Sequence, residues 1–385
     1  MENAADAVFD HEREEKMHLL KQEWKKLVTR DGFLAVFLLC FAATLLILWY
    51  RVYRISYGDS FLPSQYCRMA ERVQNMTETE AEKYFSEEQQ EYDPVRNVVQ
   101  KEWRSAHNYE NYLDKIRSGG SGGLRGLGKN VYQERLQKKL QAKYREMDPA
   151  EVSFAGGRGV SLFCHTDVAD MMAVLMMLLI IFRLVVWEAE SGMDGINMAA
   201  RNGAAWLTRI KWAVGLMASA AVLLLIQMYK LRLYTSAYGF TGWNRVIQVL
   251  PEFVGVDRRI TVFWFVCVFL VCKTAGFLLL YTIFFWLACV GRSAVRTVIL
   301  YGLFTGVSLF TAYGISLSGY LAVLRYFSPA QCINQEMLLS GYHALKLFQY
   351  PVSYLGLWTA VSCVLFFVLA GLIFRSRIRR VESSL

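Results

Sequence analysis

Two places in the chain hold residues whose type and spacing could do chemistry. The first is Lys273, a cation set inside the apolar run from Phe263 to Val290. A charge inside hydrocarbon is costly, and where it occurs it marks an ion or substrate path. Lys273 could contact an anionic substrate or polarise a central path. Alternatively, the membrane segment begins near Ala275 and leaves Lys273 at the outer interface. The second place is the stretch from Trp187 to Trp212, WEAESGMDGINMAARNGAAWLTRIKW. Acids come first, at Glu188, Glu190 and Asp194, and bases follow, at Arg201, Arg209 and Lys211. Acids near a helix start and bases near its end suit the helix dipole. The stretch therefore reads as a short helix between two spans, with a plain connector as the alternative.

Enzyme chemistry within this chain is not supported. His11, His18, His107, His165 and His343 are scattered, and no Ser/His/Asp or Cys/His arrangement can be assembled around them. The eight cysteines show no CxxC or Cys/His ligand spacing, so neither a metal nor another cofactor is expected. Cys67 and Cys164 lie near opposite ends of one soluble segment and could pair, although free thiols are the default without a known compartment. Gly123–Asn130 reads GLRGLGKN, which imitates a phosphate-binding loop. It has no preceding strand and ends in Asn where a Ser or Thr hydroxyl would hold magnesium, so it reads as a loose turn. If ATP drives this protein, the ATPase is a separate chain.

These residues are positioned by apolar helices. The chain of 385 residues is 55% hydrophobic and only 19% charged, with the charges clustered. That balance points to lipid rather than to a soluble domain. A net charge of +9 could mean nucleic acid, but the basic residues flank apolar runs, so the charge reads as topology and nucleic acid is not an expected partner. Six segments can cross a bilayer: 32–50, 168–187, 212–229, 263–290, 298–324 and 355–374. All six prolines fall between them. Arg183 also lies inside a span, near enough to its end to snorkel. Charged residues precede the first apolar run and no small-residue cleavage site follows it, so it is expected to remain as an anchor.

Short basic segments set the orientation. The arm at 1–31, the loops at 188–211 and 291–297 and the tail at 375–385 are rich in Lys and Arg, which places them, with both termini, in the cytoplasm of a cell-membrane protein. The loop at 230–262 dissents, with Lys230, Arg232, Arg245, Arg258 and Arg259. Residues 9–30 read as an amphipathic interfacial helix, with Met17, Leu20, Trp24, Leu27 and Val28 on one face. Residues 51–167 form the one sizeable soluble domain, extracytoplasmic on this topology. Its apolar stripes, Val99, Trp103, Tyr109, Tyr112, Leu113 and Ile116, then Tyr132, Leu136, Leu140 and Tyr144, predict helices packed as a hairpin around the Gly-rich Ser118–Gly128. The domain could be a spacer, a partner-docking lobe or a gate. Gly302 and Gly306 lie four apart in span five, a spacing that permits close helix packing within the chain or against a subunit. The fold class expected is an all-α polytopic membrane protein with six transmembrane helices and a helical extracytoplasmic domain.

At the acid-then-base loop the chain resembles the permeases of ABC-type exporters, in the six-helix class with a large outer domain between the first two spans. Glu190, Gly192, Arg201 and Lys211 occupy that family's places for the Glu and Gly ending span two, the following Arg and the basic residue entering span three. The family's Arg follows a Gly, whereas here the order is Arg201-Asn202-Gly203. The resemblance implies two permease subunits, each docked on a separate ABC ATPase through a coupling helix at Glu188–Arg201. It also implies short helices within 325–354 dipping into the outer leaflet, for which Met337, Leu338, Tyr342, Leu345 and Phe348 are candidates. The substrate implied is a peptide, an antibiotic or a lipid-like compound. The rival reading is a non-transporting membrane sensor or assembly protein whose outer domain binds a ligand or partner.

Overall fold

The computed structural model describes residues 17, 20–25, 32–53, 61–87, 93–118, 131–192, 203–240, 242–291, 293–314, 327–347 and 350–384. The chain is mostly helical. Helix α1 is Phe33–Tyr53; α2 to α6 are Pro63–Gln74, Glu78–Glu87, Pro94–His107, Tyr109–Arg117 and Val131–Tyr144. Helix α7 is Arg158–Cys164 and α8 is Val168–Ile181, which runs on through a widened π turn at Phe182–Val186 to Glu190. Helices α9, α10 and α11 are Gly203–Tyr238, Val262–Gly291 and Ala294–Leu309. A short α12, Glu336–Leu339, and a hairpin of β1, Ala344–Leu347, with β2, Tyr350–Ser353, precede α13, Tyr354–Ser384.

Among the described residues six helices are long and apolar enough to cross a membrane, and the expected spans fall on them, the fifth as far as Ala312. Their burial separates centre from rim. In the most apolar stretch of each, 56% of residues are buried in spans two and three and 44% in span four, against 11%, 17% and 22% in spans one, five and six. Spans two to four therefore form the packed centre, and the others show most of their apolar surface to lipid. The last part of span five, 315–324, lies outside the described residues, as do Gly123–Asn130, Leu27 and Val28.

The soluble segment between spans one and two folds into helices with distinct starts. Asp93 caps α4 by accepting from the N–H groups of Val95 and Arg96, and Pro94 takes the first helical position, where a missing N–H costs nothing. The apolar stripes are in the core: Val99, Tyr109, Leu113 and Tyr144 are all buried. Tyr66 is fully buried; its hydroxyl donates to Glu102 Oε2 at 2.5 Å and accepts from the Arg158 N–H at 3.3 Å. One phenol thus joins α2, α4 and α7. Burial and the neighbouring Glu102 carboxylate hold that phenol well above its ordinary pKa.

This domain sits on the loops at one end of the bundle, here the domain end. Tyr144 donates to the Gly255 carbonyl, Lys143 pairs with Asp257, and Arg158 lies 3.6 Å from Glu252. Lys139 donates to Pro351 O at 3.0 Å, and Arg135 covers the Tyr350 ring at 4.1 Å. Two of the dissenting cations engage the domain: Arg245 donates to Ser153 Oγ at 2.8 Å and Phe154 O at 2.9 Å, and Arg259 pairs with Glu151. Lys230 is buried against carboxylates at the start of span two, while Arg232 and Arg258 are exposed.

One expectation changes, and the default reading of the two thiols stands. The residues proposed for a dipping helix do not form one: Leu338 is in the short α12, Leu345 is in β1, Tyr342 lies between them, and Phe348 is outside the described residues. Pro351 and the polar 340–343 turn break helical periodicity there. Cys67 and Cys164 are both free thiols; Cys67 Sγ donates to Ala237 O at 3.5 Å and Cys164 is buried.

Candidate functional site

Asp167 ends the break between α7 and α8. It caps α8 through the Ala169 N–H at 3.0 Å, while its own N–H donates to Asp170 Oδ2 at 3.0 Å. This reciprocal capping box fixes two carboxylates at the start of span two. Span three brings Lys230 to them, 3.1 Å from Asp167 and 3.6 Å from Asp170. Span four brings Lys273, 2.7 Å from Asp170 Oδ1. Gln227, one turn below Lys230, donates to the same Oδ1 at 2.7 Å. Lys230 also donates to the His165 carbonyl at 2.7 Å, and the His165 ring reaches Glu336 at 2.6 Å. The four charged side chains are no more than 3% exposed. Two carboxylates and two ammonium groups balance, which is the condition under which buried ions persist.

Lys273 is therefore buried and paired rather than alone in hydrocarbon. It is one corner of a neutral cluster that ties spans two, three and four. The sequence reading missed Asp170, which stands three residues after Asp167 inside the second apolar run. Asp170, Lys230 and Lys273 lie on three separate helices, so no local pattern in the sequence joins them.

Below this cluster the chain between spans five and six enters the bundle. Ser328 donates to Ser308 O of span five at 2.7 Å, and Gln335 donates to Gln331 O at 3.0 Å and Cys332 O at 3.1 Å. The segment packs on Gly276, about 22 Å along α10 from Gly291 at about 1.5 Å per residue. Irregular backbone at that depth is tolerated only where protein covers it, and Ser328, Gln331, Cys332 and Gln335 are all buried. A Cβ on Gly276 would sit 2.5 Å from Cys332 O, a backbone atom. Gly276→Val is accordingly expected to push the segment out of place and cost about 1–3 kcal/mol of stability, the range for overpacking. Thermal unfolding of the detergent-purified variant checks this; an unchanged midpoint would contradict the close packing.

At the opposite, loop end, Glu188 and Lys211 form a buried ion pair between spans two and three. Glu190 Oε1 accepts from the Ala294 N–H at 2.7 Å and so caps span five. Gly192 then turns the chain away with a φ of +71°, where a Cβ would be strained. Arg201 and Asp194 lie outside the described residues. Arg183 covers the Trp187 ring at 5.2 Å in the π turn. Along span two, Asp170 and Glu188 are about 27 Å apart, and along span three Lys230 and Lys211 are about 28 Å apart. The two ionic layers bracket one hydrocarbon thickness of about 30 Å.

Nothing among the described residues packs on Gly302 or Gly306: a Cβ at either would meet nothing within 4 Å, and both are exposed on span five. Among the described residues no group of His, Cys, Asp and Glu could hold a metal ion. No protein-family model matches this chain, and no curated protein or solved structure matches it either.

Proposed function

We propose that this chain is the transmembrane, permease subunit of an ATP-driven ABC-type exporter, working with a separate ABC ATPase and a second permease subunit in the cell membrane. Both termini and the 188–211 loop face the cytoplasm in this reading, and the helical domain lies outside. One observation carries it. The loop leaves span two at a point tied at once to span three, through Glu188–Lys211, and to span five, through Glu190–Ala294. A push on the loop is thus delivered to three spans rather than one. At the far end, the buried segment 328–335 and the charge cluster close the bundle where a peptide, antibiotic or lipid-like substrate would leave. The outward Gly302 and Gly306 mark where the second subunit would approach.

The test is co-purification. Deleting 190–201, or reversing Arg201→Glu where the deletion does not fold, should reduce capture of the co-expressed ATPase at least about tenfold, a loss of about 1.4 kcal/mol. Capture at undiminished yield by a variant that elutes as a single folded species would overturn the reading.

A further inference from the structure

We propose that the loop end carries a binding site for one anionic glycerophospholipid, in a groove between spans three and six. The groove has a volume of about 460 Å³ and is walled by Leu20, Trp206, Ile210, Ala213 and Phe374, with Arg209 as the one charged side chain lining it. A wall of this composition suits an acyl chain, and no carboxylate among the described residues lines it to repel a phosphate.

Three observations select the charge and chemistry of the occupant. The exposed Arg209 guanidinium is held 5.1 Å over the Phe374 ring, at the groove and half a turn from Lys211, whose ion pair marks the loop-end ionic layer. A phosphate at that level sits where the hydrocarbon ends. Lys21, Lys25 and Arg375 are exposed on the helical stretch 20–25 and at the end of span six, the two elements that share the groove with span three, so the surrounding surface is basic. The third is Trp212. Its indole N–H is buried and has no partner, while its ring packs 5.8 Å from Phe374 and 5.7 Å from Phe366. A buried donor left unmet costs about 1–3 kcal/mol. A glycerol ester carbonyl or a phosphate oxygen in the groove would accept from it. A soluble peptide partner would use Arg209 but has no reason to present chain-like apolar bulk to this wall at membrane level.

The experiment uses the full-length chain in detergent, incubated with equal amounts of phosphatidylglycerol and phosphatidylcholine, followed by gel filtration and native mass spectrometry of the retained lipid. Phosphatidylglycerol should be retained in preference. Arg209→Gln should lower that preference about 5-fold, the factor for one basic residue at an anionic lipid. Ala213→Trp fills the groove and should remove retention of both lipids. Arg232→Gln, at an exposed arginine near the domain end, should change nothing. Retention by Arg209→Gln equal to that of the parent would overturn the proposal. So would equal retention of phosphatidylcholine, or full displacement by glycerol phosphate, which would indicate a bare anion site. Where Ala213→Trp does not fold, Arg209→Gln decides alone.

Discussion

Replacing Asp170 with Asn is expected to lower the stability of the folded protein by about 3–5 kcal/mol, the cost of breaking a buried ion pair from one side. Asn keeps the size but has one acceptor oxygen, so it can accept from Gln227 or from the Asp167 N–H but not both, and a lost hydrogen bond adds to the lost charge. It leaves Lys230 and Lys273 buried with Asp167 as their remaining carboxylate. A lysine that loses its counter-ion must shed its proton or drag water to itself, and either loosens the junction of spans two, three and four. The cluster's neutrality supplies the control. Asp170→Asn combined with Lys273→Met removes one charge of each sign and should recover most of the loss, because apolar replacement of a whole buried pair is often neutral. Thermal unfolding in one detergent, with the two single variants and the double, gives the coupling directly. A double variant no more stable than Asp170→Asn would show that the charges are not paired as described.

Glu188→Ala comes next in size, with an expected loss of about 3 kcal/mol, at the low end of the same range. Lys211 sits nearer a helix terminus than Lys273 and can snorkel part of the way to water. The exchange Glu188→Lys with Lys211→Glu keeps one charge of each sign and should restore at least half of the loss. The same variant tests coupling. Spin labels at Ser191 and Trp206 should report a single narrow distance in the parent and a broadened one in Glu188→Ala. An equally narrow distribution in both would mean that the pair does not hold the two spans together.

The spans were legible because a bilayer-length apolar run is an unusual thing for a sequence to contain. The domain's helices were legible for a related reason: Val99, Tyr109 and Leu113 recur at helical spacing, and all three are buried. What could not be read was any feature made by residues from different spans. Asp170, Lys230 and Lys273 lie far apart in sequence, and nothing local to any of them announces the other two. Lys230 was assigned to a loop because it follows the apolar run, whereas α9 continues to Tyr238 and carries the residue into the protein interior. Positive-inside counting treats every cation as free, whereas Arg245 and Arg259 are engaged by the adjoining domain, a pairing the sequence does not show. The helix through Met337, Leu338, Tyr342, Leu345 and Phe348 was implied by the family resemblance, whereas Leu345 belongs to the 344–353 hairpin. The glycines in span five illustrate the converse: their spacing permits close packing within the chain or against a subunit, and no described residue of the chain packs on Gly302 or Gly306.

The pair of ionic layers also commits the protein to a particular bilayer. In a membrane whose acyl region is thinner than their separation, one layer would have to enter the headgroups while lipid-facing apolar side chains stood in water. In a thicker one, lipid would have to compress around the bundle. A single helix answers such mismatch by tilting, at fractions of a kcal/mol per ångström. Spans two and three, clamped to each other at both ends, cannot tilt independently, so the cost falls on the lipid. The protein should accordingly be most stable in lipids of intermediate acyl length, with its melting temperature falling on either side, and should sort among membranes by thickness.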